Sequence, residues 1–458
     1  MAEHNVTVES TLKLLLNDKK YSTLKDILVT MNPSDIAAVF EEMDEDRTPL
    51  LFRLLPKELA AETFVEMEPE LQELLIKGFS DSELREVVQE LYVDDAADLV
   101  EEMPANVVRR ILAQADPQMR KEINEILRYP ENSAGSIMTT EYVDLRKNMT
   151  VGEAITRIRR TGIDKETIYT CYVTDNRTLV GLVTVKDLLL AQDDEDKISE
   201  VMDTNLISVN TLADQEEVAQ MLSKYNFIAL PVVDNENRLV GIITFDDAMD
   251  VMEEETTEDI EKMAAILPSD KTYLRSSPWD LFRHRIPWLL LLMISATFTG
   301  MIITRFEDAL AAQVVLTAFI PMLMDTGGNS GSQSSVTVIR ALSLDELEFA
   351  DIWSVIWKEI RTAALCGIVL SAACFVKIIV VDRIIFANTS VTVFVALVVC
   401  LTMAVTVLVA KMIGCTLPML AKKIGFDPAV MASPFITTIV DALSLLVYFG
   451  IASAVLHL

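Results

Sequence analysis

Residues 321–341 read PMLMDTGGNSGSQSSVTVIRA, an apolar run broken by Asp325, Gly327, Gly328, Asn329, Gly331, Gln333 and several hydroxyls. Amide, hydroxyl and backbone carbonyl oxygens are hard donors, suited to a hard cation or to its water shell. The glycines let helices approach closely and allow local unwinding. One reading is helix packing through small residues. The other is a water-facing pore lining with Gly328, Asn329 and Gly331 beside the ion. A second anomaly lies in SPFITTIVDALSLLVYF, where Asp441 stands in an apolar run with no basic residue nearby in sequence. Thr437 and Thr438 precede it by one turn. A carboxylate in a membrane helix is costly and is a functional candidate by default. Mg²⁺ is small, prefers oxygen and gives up water reluctantly, so one carboxylate with amide and hydroxyl oxygens would hold it through its waters. These segments carry no clustered His or Cys, which disfavours a softer metal.

Five apolar stretches must position these groups: about 286–305, 310–340, 355–381, 390–413 and 430–456. Each reaches the ~20 residues that cross a bilayer. The N-terminal MAEHNVTVES has no basic or apolar leader region, so no cleavable signal is expected and the N-terminal half stays in the cytosol. Basic residues agree with an odd number of spans and an outside C-terminus. Lys271, Arg275, Arg283 and Arg285 precede the first span; Arg340, Lys358 and Arg361 border the second connection; Lys411, Lys422 and Lys423 are placed in the fourth. The outer loops hold mainly Arg305, Lys377 and Arg383. The five cysteines are scattered, with neither zinc spacing nor a disulfide framework, which fits a reduced cytosolic face.

Charge divides the chain. Of 39 Lys+Arg and 69 Asp+Glu, the part from Lys271 onward holds 13 and 12, leaving a net of −31 on residues 1–270. That balance argues against nucleic acid, whose phosphates need Lys and Arg. It suits divalent cations, or simply a solvated surface. Within 1–130, MNPSDIAAVFEEM, LLPKELAAETFVEM, GFSDSELREVVQEL and YVDDAADLVEEM repeat a start signal followed by apolar residues at helical spacing, a small all-α superhelix. Residues 245–273 read as one long helix. On it Asp247, Asp250, Glu254, Glu258 and Glu261 share a face, and like pairs so placed repel by roughly 0.2–0.5 kcal/mol each. Solvent and salt, or bound divalent cations, offset that.

Residues 138–252 hold two matching halves: MTTEYVDLRKNMTVGEAITRIRR resembles MDTNLISVNTLADQEEVAQMLSK, and LVGLVTVKDLL resembles LVGIITFDDAM. Each reads as strand, helix, strand, strand, helix, and the pair looks like a tandem of CBS domains. The signature turns are Gly181, Thr184 and Asp187, then Gly241, Thr244 and Asp247. Such pairs serve as adenine-nucleotide sites or as purely structural modules, and both readings stand.

Taken in order, the pieces resemble the MgtE family of magnesium transporters over nearly the whole chain. The division is an acidic helical N domain (1–130), CBS domains (131–200 and 201–252), an acidic connecting "plug" helix (253–275) and a transmembrane domain of five helices (276–458). The membrane motifs that carry the resemblance are Pro321-Met-Leu-Met with Gly-Gly-Asn-Ser-Gly-Ser-Gln, and Asp427-Pro-Ala followed by Asp441. The resemblance implies a homodimeric Mg²⁺ channel of the inner membrane with its pore at the dimer interface. It implies Asp441 at a hydrated ion, beside the pore residues Asn329, Gly328, Gly331 and Thr438 read from the two motifs. It further implies regulatory Mg²⁺ at Asp94, Asp95 and Asp98 of the N domain, Asp247 and Asp250 at the CBS end, Glu255, Glu258 and Asp259 on the plug, and Asp427. ATP between the CBS domains is implied at Tyr169, Lys186 and Asp187. Mg²⁺ would thus be both substrate and regulator.

Two other classes fit the same segments. One is a proton- or Na⁺-coupled carrier with Asp441 as the coupling group. The other is a non-conducting membrane sensor built on the CBS pair. An enzyme is not expected: there is no Walker loop and no Ser/His/Asp set, and the histidines are His4, His284 and His457.

Overall fold

The computed structural model describes residues 2–44, 46–269, 273, 276–388 and 390–456. Lys271, Arg275 and His457 lie outside the described residues. Two compact units emerge, Met1–Met252 and Glu253–Leu458.

The first unit begins with short helices that start at the expected signals: Pro33–Glu41, Lys57–Val65, Asp81–Val88 and α1 (Val93–Glu102). Asn32 caps the first through the Ser34 amide with Pro33 behind it, and Ser80 and Glu83 form a reciprocal capping box on the third. Their apolar faces close over Leu24, Ile36, Phe40, Phe64, Leu75 and Ile76, all within 1% of fully buried. Each such side chain contributes roughly 1.5–3 kcal/mol of burial.

The CBS region makes two three-stranded sheets. β1 (Asp144–Arg146) runs parallel to β2 (Thr170–Asp175), which pairs antiparallel with β3 (Thr178–Thr184). β4 (Val209–Asn210), β5 (Ala229–Val233) and β6 (Leu239–Thr244) repeat the pattern. Helices Val151–Thr161 and Gln215–Tyr225 make the crossovers. The β2–β3 turn has Asn176 and Arg177 at φ 52° and 71°, as a two-residue primed hairpin requires. The repeats interlock reciprocally. A Cβ on Gly181 would meet Met202 Sδ at 2.6 Å, and one on Gly241 would meet Met138 Sδ at 2.7 Å and Thr139 O at 2.8 Å. The leading Met of each half therefore seats on the signature Gly of the other.

The acidic helix α2 (Phe245–Met263) is continuous from the last CBS strand, and its final residues belong to the second unit. It stops well short of 275. Ala265 turns left-handed (φ 55°), the Ile266 amide returns to Glu261 O at 2.9 Å, and Pro268 follows.

The second unit holds α3 (Pro278–Arg305), α4 (Ile320–Ser343), α5 (Ile352–Lys377, extended by a π-helical turn to Ile385), α6 (Val393–Lys423) and α7 (Ser433–Leu456). Among the described residues, four segments are long and apolar enough to cross a membrane: Pro278–Arg305, Phe349–Ile385, Val393–Lys423 and Pro428–Leu456. The expected 310–340 span is not among them. It is divided into Glu307–Ala312, a 3₁₀ stretch Val314–Phe319, and α4, whose polar residues remove it from the apolar class. α6 runs to Lys423 rather than 413, so Lys411 lies inside a helix and is 5% exposed, not in a connection.

Candidate functional site

α4 presents two faces. Gly327, Gly328, Ser330, Gly331, Ser334 and Ser335 are buried, whereas Asp325, Asn329, Gln333 and Thr337, four residues apart, are exposed on one stripe. Asn329 Nδ2 donates to Asp325 Oδ1 at 3.2 Å. The buried face is set by glycine. A Cβ on Gly414 of α6 would stand 2.2 Å from Gly331 O, so these two backbones touch. Cβ atoms on Gly328 and Gly331 would meet Thr437 and Ile436 of α7 at 2.8 and 2.9 Å. Gly328 and Gly331 thus act as the seat of α7, the helix that carries Asp441. Asp441 is half-buried, and its Oδ1 has no protein partner among the described residues. Thr438 gives its hydroxyl proton to Pro434 O at 3.0 Å, leaving only lone pairs to offer an ion.

A buried polar chain behind α4 had no strong signal in the sequence. Ser334 Oγ donates to Glu359 Oε2 of α5 at 2.6 Å and accepts from Lys411 Nζ of α6 at 3.1 Å; the Lys411–Glu359 ion pair spans 3.8 Å. It ties three helices together on the side away from the exposed stripe.

The lower end of α2 also meets α4 and the loop before α7. Lys262 Nζ reaches both Glu258 Oε1 and Asp427 Oδ2 at 2.7 Å. Burial opposes its charge, but these two carboxylates outweigh that and raise its pKa. Ser343 Oγ donates to Asp259 Oδ2 at 3.1 Å. Burial, with Asp427 nearby, raises the Asp259 pKa despite that bond. Glu255 is half-buried on the same helix. Asp427 also caps the short 3₁₀ turn Pro428–Met431 through the Ala429 amide, at 2.7 Å. A lysine therefore bridges two groups that the resemblance assigns to Mg²⁺.

In the first unit Asp94 and Asp95 sit in the first turn of α1, with Asp98 one turn on. They face Asp247 together with two acids not anticipated from sequence, Glu141 and Glu166. Glu141 Oε2 accepts the Val93 amide at 3.2 Å and the Thr139 hydroxyl at 3.1 Å, capping α1 from the CBS region. Asp94 is 8% exposed, and its Oδ1, like Glu166 Oε2, is buried without a protein partner among the described residues. Burial, then Asp95 and Asp247, holds the Asp94 carboxyl well above the usual range. Burial and Asp247 push Asp95 up to about 7. Glu166 is raised to about 8 by burial and Asp247, and Asp98 to about 7 by burial and Asp95. Asp98 is exposed, so water screens its share most. Burial also raises Glu141 and Asp247, the latter against hydrogen bonds from Thr244. Asp250 is exposed one turn beyond Asp247. Among the described residues no three His, Cys, Asp or Glu are placed to grip a bare ion directly.

Tyr169 is 65% exposed, and Lys186 and Asp187 are exposed nearby in the same repeat. Asp187 Oδ2 accepts the Thr184 amide at 3.1 Å and also its hydroxyl, a capping box at the start of helix Val185–Leu190.

Residues 320–451 match the family described as divalent cation transporter, 31–132 the MgtE intracellular N domain, and 134–194 and 198–254 the CBS domain. The magnesium transporter MgtE of Thermus thermophilus is 36% identical, covering 98% of both chains. That of Bacillus subtilis is 35% identical over 97% of this chain and 96% of its own. The crystal structure of the cytosolic domain of the Mg²⁺ channel MgtE in complex with ATP covers 53% of this chain and 99% of its own, at TM-score 0.51 and 38% identity. The soluble part of a magnesium transporter covers 56% and 99%, at TM-score 0.51 and 29% identity. A helical N domain, a CBS pair and a bundle in which apolar helices pack against a polar one, matched along almost their full length, make this chain a member of the MgtE transporter family.

Proposed function

We propose that this chain is a Mg²⁺-selective channel that imports Mg²⁺ across the inner membrane as a homodimer and closes when Mg²⁺ occupies its acidic cytosolic domains. The observation that carries the reading is the stripe Asp325, Asn329, Gln333 and Thr337, exposed on a helix packed among membrane spans. Polar groups at membrane depth need water or a partner. A second copy facing this stripe would enclose a wet path and make α4 the fifth span. Asp441 would hold the ion through its waters, with Asn329 and Thr438 beside it and Gly328 and Gly331 keeping α4 and α7 in place. The C-terminus would lie outside.

Regulation would act on the acid patch. Asp94, Asp95, Asp98, Asp247 and Asp250, with Glu141 and Glu166, repel one another unless a cation sits among them. Glu255, Glu258, Asp259 and Asp427 would form the second regulatory region, where Lys262 already supplies one positive charge. Gating of this kind needs only a few kcal/mol of differential binding between two states. ATP is proposed as a ligand of Tyr169, Lys186 and Asp187, by analogy with the relative solved with ATP.

The test is Mg²⁺ flux into proteoliposomes, wild type against Asp441→Ala, at high or negligible Mg²⁺ on the cytosolic-domain side. Flux that requires Asp441 and stops at high cytosolic-side Mg²⁺ supports the reading. Flux indifferent to both, or driven only by a proton or Na⁺ gradient, rejects it.

A further inference from the structure

Within the second unit, the buried side-chain polar atoms that lack a protein partner are Thr406 Oγ1, Asp441 Oδ1 and Ser444 Oγ, among the described residues. Two of them, Thr406 and Ser444, fall at one junction. Thr406 of α6 is 1% exposed and Ser444 of α7 is 3% exposed. Both close on Gly327 of α4: a Cβ there would lie 2.7 Å from Thr406 Cγ2 and 2.9 Å from Ser444 Oγ. Asp441 is one turn before Ser444 on α7, so the carboxylate and the hydroxyl share a helix face. Helical Ser and Thr usually return their proton to a carbonyl one turn back, as Thr402, Ser330 and Thr438 do here. Thr406 and Ser444 do not. Leaving three oxygens dry in a low-dielectric interior is costly.

We propose that Thr406, Ser444 and Asp441 Oδ1 bind an internal water behind α4, and that Thr406 and Ser444 are thereby positioning residues for the ion-binding carboxylate. Three polar partners are what a buried water typically takes. Oδ1 is then held from behind, which leaves Oδ2 to face the path. Outer-layer groups of this kind set the orientation and basicity of an ion-binding carboxylate. The inference rests on the reading of Asp441 as the ion-binding group.

The experiment uses the full chain with Thr406→Val, Ser444→Ala, the double variant, and Thr406→Ser as the conservative control. Thermal stability and the Mg²⁺ concentration giving half-maximal flux are measured for each. The expected result is that Val and Ala variants are no more stable than wild type and that the double variant shifts half-saturation by about 10-fold. Thr406→Ser should behave as wild type. Variants that gain stability with unchanged Mg²⁺ dependence would mean that the hydroxyls are dry, and would overturn the proposal. Wild-type flux that titrates with Na⁺ and loses that dependence in the double variant would replace the water by a monovalent cation, also overturning it. Flux surviving in Asp441→Asn would instead remove the reading of Asp441 as the ion-binding group, while the stability comparison still decides whether water is there.

Discussion

Lys411 and Glu359 are opposite charges inside a helix bundle, joined through the Ser334 hydroxyl. Desolvation makes such a pair a poor source of net stability, but an orphaned member is worse. Lys411→Met or Glu359→Gln alone should therefore cost on the order of 3 kcal/mol, and the double variant should recover most of it. Denaturation of the four proteins in detergent reads this directly. Asp94 makes the opposite case, because its buried Oδ1 lies among other acids. Asp94→Asn should stabilise the first unit at pH 8 without Mg²⁺, by about 1–3 kcal/mol, and shrink the stabilisation that Mg²⁺ adds. Calorimetry with and without the ion compares both quantities.

The contact of α4 with α6 is backbone on backbone, because Gly414 meets Gly331 O with no room for a methyl group. Gly414→Ala should force the helices apart and abolish flux, whereas Gly300→Ala, with open space around it, should leave flux intact. At the foot of α2, Lys262→Ala should free Glu258 and Asp427 from their shared cation and raise hydrogen exchange across 253–263. The elements were legible to different degrees. Start signals such as Asn32-Pro33 and Ser80 marked helices because capping is local chemistry. Asp441 stood out because a carboxylate among apolar residues needs a reason. Lys411 misled, because a lysine near the end of an apolar run looks the same whether it faces water or a buried Glu on another helix. Glu141 and Glu166 were invisible for the same reason. They join the acid patch only through folding that brings the CBS region against α1.

At the scale of the molecule, the surplus of −31 on residues 1–270 turns into a pH dependence. Asp95 and Asp98 rise from 3.8 to about 7 and Glu166 from 4.5 to about 8 on folding. The folded state then holds more protons than the unfolded one between those limits, so stability is present in acid and is lost as pH rises through the folded values. In Mg²⁺-free buffer the melting temperature of the first unit should fall from about pH 5 to pH 8. Millimolar Mg²⁺ should remove most of that slope, because a bound cation takes over the protons' role. A slope unchanged by Mg²⁺ in differential scanning calorimetry would argue that these acids do not bind it.

The crossed seating of Met138 on Gly241 and Met202 on Gly181 bears on how the tandem is kept. Each repeat carries the stopper for a gap in the other. A single repeat made alone would have its own notch at Gly181 and its own stopper at Met138, and no geometry within one copy to join them. Two such fragments would satisfy each other by exchange between chains. With both copies in one polypeptide the exchange is internal, and neither copy is dispensable to the packing of the other.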